Sequence, residues 1–71
     1  MITYVVCTMK KDTKELNYKY IEAESLKSVA IEEYIDSMGD VIWGTYESSY
    51  PLNAIIIDFA RFAHHYFKNN K

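Results

Sequence analysis

The spacing of apolar positions changes along the chain, and each change predicts an element. Residues 2–9, ITYVVCTM, are β-branched and aromatic at both odd and even positions. That pattern predicts a strand covered on both faces. Lys10 to Glu15, KKDTKE, is a polar connector of hairpin type. It contains no glycine, which argues against a tight two-residue primed turn. Leu16 to Ala23, LNYKYIEA, is the second strand. Leu16, Tyr18, Tyr20 and Glu22 share one of its faces; Asn17, Lys19, Ile21 and Ala23 share the other. The alternation does not select the inward face.

The period then becomes helical. Ser25 is the expected N-cap, although Ser28 rather than Glu stands three residues on and leaves the capping box incomplete. Leu26, Ala30, Ile31, Tyr34, Ile35 and Met38 fill an apolar half-circle, and Gly39 is placed to close the helix in the left-handed conformation. Asp40 to Ser48 reads as a third strand, with Gly44 marking a bulge or close packing. Pro51 suits a first helical position, and the second helix runs to Phe67 or Lys68. Its core contribution is Leu52, Ile55, Ile56, Phe59, Phe62 and Phe67; the terminal KNNK reads as a frayed tail. The order is ββαβα. It predicts one small α+β domain over residues 1–71, a three-stranded, mainly antiparallel sheet with two helices on one face.

Composition adds constraints. A 71-residue chain buries a small fraction of its surface, so its stability is marginal. Seven tyrosines, one tryptophan and three phenylalanines supply large area per residue and favour a folded domain. Homodimerisation through the sheet would cover exposed aromatics. The lone cysteine, Cys7, sits in an apolar run with no charged neighbour to activate it, and reads as a small buried hydrophobe. The chain shows neither the pattern of a targeting signal nor a membrane-length apolar run, so the expected location is a reducing cytoplasm.

Charge is distributed unevenly. Residues 22–47 carry Glu22, Glu24, Glu32, Glu33, Asp36, Asp40 and Glu47 against Lys27 alone, a net −6 in a chain of net −2. Glu32, Glu33 and Asp36 cluster on the polar side of the first helix. Such a cluster is ordinarily a solvated face. Here it lacks the lysines that would normally be interleaved, and unopposed acid steers cationic partners inward. Nucleic acid is a poor default partner for this balance.

No cofactor or catalytic pattern stands out. His64 and His65 diverge by about 100° on a helix, so they chelate one ion poorly. Glu32 and Asp36 repel across one turn, with no sign of a pocket to separate their pKa values. The two glycines are isolated, so there is no phosphate loop. No cofactor or metal is expected. In style, being short, rich in Lys, Ile, Asn and Tyr and without catalytic apparatus, the chain resembles the small accessory proteins of phages. The expectation is a non-enzymatic interaction module, a phage-type inhibitor or modulator of a host macromolecule. Its surfaces would be the acidic helix face (Glu32, Glu33, Asp36) and an aromatic sheet face (Tyr18, Tyr20, Trp43, Tyr46), and its partner a protein with a basic surface. The alternatives are a single-stranded nucleic-acid regulator using those aromatics and the lysine-rich hairpin, and a metal site around Asp58 and His65.

Overall fold

The computed structural model describes residues Met1–Asn69. The elements are β1 (Ile2–Lys10), β2 (Leu16–Ala23), α1 (Val29–Ser37), β3 (Val41–Glu47) and α2 (Leu52–Asn69). The ββαβα order is the one the sequence pattern predicts. β1 lies in the centre of the sheet, antiparallel to both neighbours, in the order β2-β1-β3. β2 and β3 therefore run parallel to each other on opposite edges. α1 is the crossover that joins them.

The layering differs from the sequence expectation. The helices pack on opposite faces of the sheet, not on one. Val5, Cys7 and Ile42 pack against Ile55, Phe59 and Ala63 of α2. Tyr4, Val6, Ile21 and Ala23 pack against Ile31 of α1. Odd and even residues of β1 point to opposite faces, so the two clusters lie on either side of one strand. The physical reason is in the sequence of β1. Residues Tyr4 to Thr8 are all buried, and only a sheet covered on both sides can bury consecutive strand residues.

Local chemistry fixes the connections. The hairpin loop closes with Lys14 N–H donating to the Lys10 carbonyl at 2.8 Å and Lys10 N–H donating to the Glu15 carbonyl at 3.0 Å. Lys14 takes the left-handed conformation at φ 60° that a glycine would otherwise supply. α1 starts later than Ser25. Ser25 Oγ accepts from Lys27 N–H at 3.3 Å and closes a turn, while Ser28 Oγ accepts from Ala30 N–H at 3.2 Å and caps the helix. Leu26 is consequently outside the helix and exposed. Gly39 ends the helix as expected, at φ 85°, donating its N–H to the Asp36 carbonyl.

Gly44 serves close packing. It is paired with Cys7 on the α2 face, where an added Cβ would stand 3.1 Å from the Phe59 ring. The bare backbone lets Phe59, itself fully buried, seat against the sheet. Pro51 precedes the helix proper, and its carbonyl accepts the Ile55 N–H. α2 continues through Lys68 and Asn69; the rest of the KNNK stretch, Asn70 and Lys71, lies outside the described residues. Phe62, expected in the core, is 46% exposed, and Ala63 takes the inward place. Among the described residues, no helix is long and apolar enough to cross a membrane.

Candidate interaction surface

Each helix covers the sheet unevenly. The α2 cluster draws on β1 and β3 and, from β2, only on Leu16 at its start. The α1 cluster draws on β1 and β2. Each face therefore leaves an edge strand partly bare. On the α2 face the bare residues are Tyr18 and Tyr20 of β2, 44% and 50% exposed, with rings in edge-to-face contact at 6.2 Å. On the α1 face the bare residue is Trp43 of β3, 49% exposed.

The four aromatics expected on one sheet face are thus distributed. Tyr18, Tyr20 and Tyr46 lie on the α2 face, in register with Cys7 and Val5. Trp43 pairs with Thr8 and points the other way. Tyr46 is half-buried beside α2, and its hydroxyl donates to Asp58 Oδ2 at 2.9 Å. Burial, followed by this bond to a carboxylate, pushes the Tyr46 phenol well above the ordinary tyrosine range.

Glu32, Glu33 and Asp36 are all exposed on α1. A shallow groove of about 400 Å³ runs between α1 and β2, lined by Tyr20 and Lys19 on one side and Glu33, Tyr34 and Ser37 on the other. The acidic helix face therefore adjoins the β2 edge along this groove, through Glu33 on α1 and Lys19 and Tyr20 on the strand, although register puts the Tyr20 side chain on the α2 face. This junction is not visible in the linear pattern, because it depends on which edge strand α1 crosses. Lys19 lies over the Tyr34 ring at 5.5 Å from its centroid.

The ion pairs lie elsewhere. Lys11 Nζ meets Asp40 Oδ1 at 3.1 Å, and Lys10 Nζ meets Glu15 Oε2 at 3.8 Å, both at the hairpin end. Hydrogen bonds that Lys11 donates to Asp40 and then to Tyr66 raise its pKa, so it stays charged. Lys14 lies over the Phe67 ring at 5.1 Å. Among the described residues, Glu22, Glu24, Glu32, Glu33 and Asp36 form no ion pair, and no group of three or more His, Cys, Asp or Glu gathers around a common centre. Among the described residues, β2 has no strand partner along its outer edge, so its outward backbone groups are open to pairing. No protein-family model, curated protein or solved structure matches the chain.

Proposed function

We propose that this protein is a non-enzymatic interaction module that binds a protein with a basic surface through the α1 acidic face and the adjoining β2 edge. The observation that carries this reading is the unpaired acid beside an open edge strand. Among the described residues, Glu22, Glu24, Glu32, Glu33 and Asp36 form no ion pair, and Glu33 lines the groove that α1 makes with β2. Unopposed charge gains little for a monomer and repels itself; it becomes favourable when a cationic surface approaches. Tyrosine supplies rigid contact area at low entropy cost, and a free edge offers backbone hydrogen bonds. A small inhibitor or modulator of a host macromolecule, as in phage accessory proteins, is the role such a surface suits. The cytoplasm is the proposed location.

The nucleic-acid reading finds less support. Lys10, Lys11, Lys14 and Lys19 are each already placed against a carboxylate or an aromatic ring. A phosphate backbone would have to compete with those contacts.

The test is capture of a partner by the tagged chain from its native host, with the captured protein identified and purified. The purified partner should bind wild type with an affinity that falls steeply with salt. Glu32→Lys with Asp36→Lys should weaken it by at least about tenfold, the loss of roughly 1.4 kcal/mol. Full binding by that double variant would refute the acidic-face reading.

A further inference from the structure

On the α2 face of the sheet, away from the α1 groove, a second pocket lies between the end of β3 and the first half of α2. It encloses about 360 Å³ and is lined by Tyr46, Tyr50, Ala54, Ile55 and Asp58. We infer that this pocket is a binding site for an alkylammonium group, held between the two tyrosines and paired with the Asp58 carboxylate.

The chemistry of the lining selects the ligand class. Two tyrosines, Tyr46 and Tyr50, line the pocket, and the quadrupole of an aromatic ring attracts cations. Ala54 and Ile55 contribute apolar surface suited to methyl or methylene groups. Asp58 supplies the only formal charge in the lining. An anion is repelled by it, and a neutral apolar ligand would strip its water without compensation. A metal ion would find one carboxylate and no other charged ligand. An organic cation satisfies the rings and the carboxylate together.

Asp58 is also available. Among the described residues, its hydrogen bond is the one accepted from the Tyr46 hydroxyl at Oδ2, which leaves Oδ1 for a ligand. Arg61, one helical turn on, forms no ion pair with it. The Tyr46 bond fixes the carboxylate in place and keeps the phenol as a donor, which its raised pKa reinforces. Tyr50 stands in the turn before Pro51, 61% exposed, with its N–H donated to the Glu47 carbonyl at 3.3 Å. A side chain so open contributes little to folding, which gives the site a wall that can be removed without loss of the fold.

The experiment is a titration of the isotope-labelled chain with tetramethylammonium chloride, followed by amide chemical shifts. Acetyl-lysine methylamide and the neutral 2,2-dimethylpropan-1-ol are titrated in parallel, with sodium chloride holding ionic strength constant. Saturable shifts are expected at Tyr46, Tyr50, Ala54 and Asp58 with both cations, in the millimolar range of a single cation–π site. The neutral alcohol should give none. Asp58→Asn and Tyr50→Ala should each weaken tetramethylammonium by about tenfold, equivalent to roughly 1.4 kcal/mol. No saturable shift with tetramethylammonium, an equal response to the alcohol, or unchanged affinity in both variants would overturn the assignment. None of these outcomes bears on the α1–β2 surface, which uses different residues.

Discussion

Thr8 occupies the centre of the sheet with a fully buried side chain, and its Oγ1 has no hydrogen-bond partner among the described residues. A buried hydroxyl without a partner loses water and gains nothing in return. Thr8→Val should therefore raise stability by about 1 kcal/mol, read as a higher urea midpoint at unchanged slope. A lower midpoint would show that the hydroxyl is bonded. One residue earlier, Cys7 is buried against the α2 cluster, and burial raises its thiol pKa from 9.0 to about 11. The fold holds the proton more tightly than the unfolded chain does. Its contribution to stability is thus complete below pH 9.0 and is lost as pH rises toward about 11. Urea midpoints should fall across that window, and Cys7→Ala should flatten the onset; the Tyr46 phenol, raised from 10.0, acts in the same direction at higher pH. At neutral pH a thiol reagent should modify Cys7 no faster than the chain unfolds.

At the scale of elements, α1 is the sensitive part. It has nine residues, only Ile31 fully buried, and no basic residue in its last turn. Helices this short depend on packing and caps. Ser28→Ala should cost about 1 kcal/mol, whereas Ser25→Ala should change stability by only a few tenths. Equal effects would place the cap wrongly. Ser25 and Ser28 are chemically equivalent in sequence, and the choice between them is made by packing. Starting at Ser28 lets Ile31, Tyr34 and Ile35 meet the Tyr4, Val6, Ile21 and Ala23 surface. The hydrophobic period carried the rest of the element order. Alternation placed β2, the long 3.6-residue stripe placed α2, and Gly39 marked its helix end. The layering was also legible, in the two-sided apolar run of β1, which already requires cover on both faces. Setting both helices on one face contradicted that run. Phe62 fell on the apolar stripe yet lies at its margin, because the seat over Gly44 centres the stripe on Phe59.

For the whole molecule, the consequence is an offset three-layer arrangement, a helix on each side of a sheet too wide for either. That offset decides which of the suspected surface residues can act together. Sequence could mark Tyr18, Tyr20, Trp43 and Tyr46 as aromatic and strand-borne, and Glu32, Glu33 and Asp36 as acidic and helical. It could not show that Trp43 faces the opposite side, that Tyr46 is tied to Asp58, or that Tyr20 and Glu33 line one groove. Those relations follow from register and crossover, which are set by long-range packing. The central claim is that a partner seats on this groove and on the free edge of β2. Amide hydrogen exchange of the complex with the purified partner tests it most directly. The account predicts new protection along Leu16–Ala23 and Val29–Ser37, with the outward face of α2 unchanged. It also predicts that Tyr20→Ser with Glu33→Lys abolishes that protection. Protection confined to α2 or to the hairpin, or an identical pattern in the double variant, would contradict it.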